Sequence, residues 1–139
     1  MGPIKQVGGI IWRDGKILLG KRASDRTFYP NVWDIIGGHC GAGETLEQAL
    51  ARELKEEIGV TPTGFKHIRV LNYAPTSPSD EYELHIYIVT DWLGSPSNLS
   101  PREHSLLAWF EIGEACSLEL ADSSYPEIFR GLEGQAKVS

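Results

Sequence analysis

Positive charge is scarce in this sequence: 13 Lys and Arg stand against 19 Asp and Glu, for a formal net charge of -6 at pH 7. Without a broad basic surface there is no electrostatic footprint for a DNA or RNA polymer. Cysteine is nearly absent as well. Cys40 and Cys116 lie far apart and belong to no CxxC pair, which excludes a disulfide scaffold and reads as two reduced thiols. No apolar run approaches the roughly 20 residues that a membrane helix needs. The opening MGPIKQVGG lacks the apolar centre of a secretory signal, and Gln6 stands where a myristoylation signal requires Ser or Thr. A cytoplasmic protein without a membrane partner is the expectation.

What remains is ordinary globular composition. A chain of 139 residues with 41% hydrophobic and 23% charged side chains suits one domain, residues 1–139, around one core. There is no internal repeat and no low-complexity segment. An acidic protein can still hold a small phosphorylated molecule if a divalent cation bridges the two, so clustered carboxylates are the feature to look for.

Punctuation along the chain sets the elements. Apolar runs at 7–12 and 17–21 flank Arg13-Asp14-Gly15, and Asp-Gly between such runs predicts a hairpin. A polar loop over 23–31 carries Phe28, Tyr29 and Pro30, and a short apolar stretch over 33–36 ends at Gly37-Gly38. Gly41 and Gly43 follow, which reads as a loop over 37–43 whose backbone can be closely approached. Thr45 and Gln48 have capping-box spacing, and Gly59 is placed to end the helix between them. Residues 66–73, 83–92 and 107–112 read as strands, 74–81 and 94–104 as loops. Residues 123–132 read as a final helix, with Pro126 in its first turn. Strands on both sides of one long helix, with another helix at the end, predict an α/β fold: a mixed sheet between helices.

The long helix carries the chemistry. At about 100° per residue, Glu53, Glu56 and Glu57 share an arc of about 100°, beside the apolar arc of Leu50, Leu54 and Ile58. The acidic stripe should therefore run along the edge of the buried face, with Arg52 and Lys55 turned toward the other side. Glu-rich helices are commonplace and most are simply solvated, so the stripe alone does not make a metal site.

The loop before the helix supplies independent support. Residues 38–60, GHCGAGETLEQALARELKEEIGV, resemble the signature box of the MutT/Nudix hydrolases, G-x5-E-x7-R-E-U-x-E-E-x-G-U with U aliphatic. Gly38, Glu44, Arg52, Glu53, Glu56, Glu57 and Gly59 fill the fixed positions, and Leu54 and Val60 fill aliphatic ones. At about 7% usage per residue type, seven coincidences have a chance on the order of 10⁻⁸ per start position. The resemblance implies the family's α/β/α sandwich and a hydrolase that cleaves the diphosphate linkage of a nucleoside diphosphate derivative.

It also implies roles, residue by residue. Glu53, Glu56 and Glu57 would hold catalytic Mg²⁺, or Mn²⁺ in its place, with the Gly37 carbonyl as a further ligand. Arg52 and Glu44 would orient those ligands without touching the ion, Arg through its bidentate fork. Gly38 would leave room where the loop passes the metal. The base that activates water is either Glu53 or Glu103 in the downstream SPREH segment, whose other reading is an exposed loop charge. Arg22, Phe28, Trp33 and His39 are candidates for the substrate: arginine and histidine for phosphate, the aromatics for stacking on a base. For Trp33 and His39 ordinary packing is the competing reading, and Cys40 is a small loop residue with no chemistry attached.

Within the family, RTFYPNVWDIIGGH resembles the segment before the box in members that destroy nucleoside triphosphates, oxidised ones among them. Pro75, fifteen residues beyond the box, instead matches a spacing of ADP-ribose pyrophosphatases. Thr76, Ser77 and Pro78 stand where the dinucleoside-polyphosphate branch has tyrosine. The reading leans to a nucleoside triphosphate, with ADP-ribose or another nucleotide sugar as the alternative. A nucleotide-sensing domain without turnover is a further alternative, against which the complete box speaks. The partner is a small nucleotide rather than a nucleic-acid polymer, and the chain is expected to be a monomer or homodimer.

Overall fold

A computed structural model describes residues 2–27, 29–74 and 81–136. The Asp-Gly hairpin forms as its residues dictate. Strand β1 (Ile4–Arg13) turns through Asp14 and Gly15, whose φ values are 53° and 76°, into β2 (Lys16–Arg22), with Arg13 opposite Lys16. Two left-handed residues in succession make the turn whose twist matches that of the strands.

The stretch around Trp33 forms two short strands, β3 (Trp33–Asp34) and β4 (Ile36–His39). Gly37 and Gly38, expected in a loop, lie in β4 and pair antiparallel with Gly8 and Val7 of β1. Close approach is the reason. A Cβ on Gly37 would stand 1.9 Å from the Val7 carbonyl oxygen, so no side chain fits against β1 there.

Helix α1 (Leu46–Ile58) starts and stops as its caps predict. Thr45 Oγ1 accepts from the Gln48 amide at 3.1 Å, Gln48 Oε1 accepts from the Thr45 amide at 2.9 Å, and Gly59 closes the helix at φ 74°. Then come β5 (Thr61–Tyr73), β6 (Tyr82–Leu93) and β7 (His104–Glu111), the first five residues longer at its start than its apolar pattern suggested. Residues 75–80, where Pro75, Thr76, Ser77 and Pro78 fall, lie outside the described residues.

The sheet runs β3-β2-β1-β6-β5, with β4 also on β1 and β7 also on β2. Among the strand pairs of the described residues β1 and β6 run parallel and the others antiparallel, so the sheet is mixed. Successive residues of β6 alternate between two cores. Tyr87 and Val89 pack with Val7, Ile11, Leu50, Leu54 and Ile58 beneath α1, while Ile86 and Ile88 pack with Ile10, Ile17, Leu19, Phe129 and Leu132 on the opposite face. Burial on both faces explains why this strand is apolar throughout its centre.

That second face is covered by three short helices instead of one. A turn not expected from sequence, α2 (Ile112–Cys116), follows β7 directly. The terminal helix is divided at Gly131 into α3 (Tyr125–Arg130) and α4 (Leu132–Ala136). Helices on both faces of a mixed sheet give the α/β/α sandwich. No helix among the described residues is long and apolar enough to cross a membrane.

Candidate active site

The acidic residues of the 38–60 segment divide into a clamped group and a buried one. Arg52 organises the first. Its Nε and one terminal nitrogen donate to Glu44 at 2.7 and 2.9 Å, and its other terminal nitrogen reaches Glu53 at 2.9 Å and Glu56 at 3.3 Å. It also donates to the His39 carbonyl at 2.9 Å, tying α1 to the end of β4. Arg52 therefore does not turn away from the acidic stripe, as its helical angle suggested. Its side chain is long enough to fold back across the surface. The Arg52 guanidinium and the Gly41 amide hold the Glu44 carboxyl down to about 2.

Glu57 lies inside the buried face rather than along its edge, and only 3% of its surface is exposed. Its Oε1 is 2.7 Å from His104 Nε2. Burial, together with the adjoining carboxyls of Glu53 and Glu103, pushes the Glu57 carboxyl up to about 11. Its second oxygen, Oε2, is buried with no hydrogen-bond partner. A buried carboxylate oxygen left unpaired costs free energy that a bound cation would recover. Ligating atoms of Glu57, Glu103 and His104 lie within 4.8 Å of one another, so two carboxyls and an imidazole crowd this spot.

Gly38 shapes the same spot. A Cβ there would stand 2.6 Å from the carboxyl carbon of Glu53, so the bare backbone of β4 is what lets Glu53 lie against the strand. The donor set is oxygen-rich, as hard divalent cations such as Mg²⁺ and Mn²⁺ require.

These carboxylates open into a cleft of about 410 Å³. Gly37, Gly38, His39, Glu57, Glu103 and His104 form one end of it, with Arg22 and Arg26 beside them. Arg22 donates to Asp34 at 3.4 Å and to the Tyr29 carbonyl at 3.0 Å. Burial raises the Asp34 carboxyl, against the hydrogen bond from Tyr125 at 2.7 Å and the charge of Arg22. Aromatic lining comes from Tyr29 and from Tyr73 and Tyr82, whose rings stack 5.2 Å apart at 14°.

Glu57, Glu103, Gly37, Arg22 and His39 thus line the cleft, and Glu53 adjoins Glu57 while Arg52 ties it to Glu44 and Glu56. Trp33 is elsewhere. Its ring meets Phe110 edge-on at 4.9 Å within the second core, because β3 turns that side chain away from the cleft. Phe28 lies outside the described residues. Sequence reasoning missed His104, Asp34, Tyr73 and Tyr82, which belong to no motif and come together only through strand pairing. The only local signal for His104 was its place beside Glu103.

Similarity to known proteins agrees with this geometry. The family model described as NUDIX domain matches residues 3–132. A CTP pyrophosphohydrolase of Escherichia coli K12 is 34% identical over 126 residues, covering 91% of this chain and 89% of that protein. A nucleoside triphosphatase NudI of Enterobacter sp. strain 638 is 35% identical over 124 residues, covering 83% and 86%. Among solved structures, that of the E. coli ORF135 protein matches with a TM-score of 0.81 and 31% identity, covering 100% of this chain and 96% of that one.

Proposed function

The chain belongs to the Nudix hydrolase family, and from that membership we propose that it is a Mg²⁺-dependent pyrophosphohydrolase of nucleoside triphosphates. The observation that carries the reading is the buried, unpartnered Oε2 of Glu57 in a cleft that Glu103 also lines, with the Glu53 carboxyl adjoining Glu57. Glu53, Glu56 and Glu57 would hold the cation, with the carbonyl of Gly37 beside them. A bound Mg²⁺, or Mn²⁺ in its place, neutralises phosphate charge and makes phosphorus more electrophilic.

The protein's own groups account for the rest. Arg22 and Arg26 line the phosphate end of the cleft, and Tyr73 and Tyr82 offer aromatic faces to the organic part of the substrate. Arg52 and Glu44 hold Glu53 and Glu56 in place from behind. A water oxygen attacks phosphorus, the bridging P–O bond breaks, and the water proton passes to a carboxylate. Glu103 is the better placed acceptor. It lines the cleft and accepts from the Ser100 hydroxyl at 3.3 Å, whereas Glu53 already accepts from Arg52.

The choice of nucleoside triphosphate is supported by the names of the two relatives, a CTP pyrophosphohydrolase and a nucleoside triphosphatase. The test is pyrophosphate release with Mg²⁺ from the common ribo- and deoxyribonucleoside triphosphates, 8-oxo-dGTP and, as control, phosphate-monitored cleavage of ADP-ribose. Triphosphates should be turned over and EDTA should abolish the reaction. A preference for ADP-ribose of more than about tenfold would move the substrate to the nucleotide-sugar branch. Binding without turnover of any compound would turn the reading to a sensor.

A further inference from the structure

The family's box says nothing of His104, yet this imidazole makes a short contact to the most buried glutamate of the site. Its Nε2 lies 2.7 Å from Glu57 Oε1, with side-chain exposures of 6% and 4%. Room for the ring comes from β2. A Cβ on Gly20 would stand 2.6 Å from His104 Nδ1, so the imidazole occupies space that any other residue at position 20 would fill.

The backbone around His104 is tied to the same helix that carries Glu57. The amides of Ser97 and Leu99 donate to the carbonyls of Ile58 and Glu57 at 3.0 and 2.9 Å. Asn98 then donates its side-chain amide to the His104 carbonyl at 2.7 Å, and the His104 amide donates to Ser100 at 3.0 Å. Glu57 and His104 are therefore fixed to each other through backbone and side chain alike. Nδ1 of the ring is buried with no partner. A bare lone pair is cheaper to leave unpaired there than an N–H, which puts the ring hydrogen on Nε2, facing Glu57 Oε1.

We propose that His104 is the positioning residue for Glu57: it donates Nε2–H to Oε1 and so leaves Oε2 aimed at the cation. The inference rests on the metal-site reading above. Ligands of bound metals are generally held by such outer hydrogen bonds, and their loss costs about 10–100-fold in metal affinity.

The test measures Mn²⁺ binding without substrate, by electron paramagnetic resonance, in the wild type and in Glu57→Gln, His104→Leu and His104→Gln, with circular dichroism as a check on folding. His104→Leu should weaken Mn²⁺ binding by about 10–100-fold. His104→Gln, whose amide N–H can reach Oε1, should recover most of the loss. Unchanged affinity in His104→Leu, set against a loss in Glu57→Gln, would overturn the role of His104 alone. A glutamine variant no better than leucine would reduce the residue to packing and overturn it too. If the wild type binds Mn²⁺ no better than Glu57→Gln, the metal-site reading itself falls and takes this inference with it.

Should His104→Leu fail to fold, the wild type decides through ¹⁵N-histidine NMR in saturating Mg²⁺. Hydrogen on Nε2 of His104 supports the assignment, and hydrogen on Nδ1 overturns it.

Discussion

Glu44 and Glu57 belong to one 23-residue motif and live in opposite surroundings. Glu44 is half-buried, with both oxygens accepting from Arg52 and one also from the Gly41 amide, and its carboxyl is held down to about 2. Glu57 is buried beside two other carboxyls with one oxygen unpartnered, and is pushed up to about 11. The contrast teaches that a repeated residue type in a motif need not mean a repeated role. One glutamate is satisfied by the protein and serves as scaffold. The other is left unsatisfied, which makes it a place for a ligand.

The largest effect should come from removing the unsatisfied member. Glu57→Gln keeps the shape but not the charge, and steady-state pyrophosphate release should fall by about 10³-fold or more while circular dichroism is unchanged. Activity within about tenfold of wild type would erase the contrast. Next comes its neighbour in the cleft. Glu103→Gln at saturating Mg²⁺ should lower kcat by at least about 10²-fold with Mg²⁺ affinity intact, and a fall of less than about threefold would remove Glu103 from proton transfer.

On the scaffold side, Arg52→Gln should weaken Mg²⁺ activation by about 10–100-fold, with a smaller loss of kcat once Mg²⁺ saturates. Lysine should rescue little, since the clamp uses three guanidinium nitrogens.

Acidity separates the pair again, in EDTA and without substrate. The Glu57 carboxyl is raised on folding, so its contribution to stability is present below its ordinary value of 4.5 and is lost as pH rises toward about 11. Glu44 is depressed, so its contribution is present above 4.5 and is lost as pH falls toward about 2. Thermal melts should therefore show a decline toward alkaline pH that Glu57→Gln flattens. An unchanged slope in that variant would mean that Glu57 is not the group responsible. The smallest effect serves as control: Thr45→Ala removes a helix cap, should cost about 1 kcal/mol in denaturant melts, and should leave Mg²⁺ affinity alone.

What could be read in the sequence follows from how far each feature reaches along the chain. The Asp14-Gly15 turn and the Thr45 and Gly59 caps are decided by immediate neighbours, and all form as the residues predict. The clamp of Glu44 on Arg52 lies within one motif, so a pattern of fixed spacing could carry it. Gly37 and Gly38 looked like loop because glycine weakens a strand by itself. Their pairing with β1 comes from a contact some thirty residues away, which no local preference records. Trp33 is ambiguous for the same reason, since only the position of Phe110 settles which way its ring turns. His104 was illegible in sequence because its meaning depends on Glu57 and Gly20, both distant along the chain and adjacent only after β2 and β7 pair.

The strap between β3 and the segment at 119–125 has a consequence for synthesis. Trp33 exchanges backbone hydrogen bonds with Glu119 and Ala121, and Tyr125 donates to Asp34 across 91 residues. Ala121, Asp122 and Tyr125 form part of the cleft wall, yet the ribosome adds them after all seven strands. Tyr125, Ile128, Phe129 and Leu132 also cover the second face of the sheet, so the last part of the chain completes core and cleft wall together. Until that strap closes, the folding protein has neither a covered second face nor an enclosed cleft beside its acidic residues.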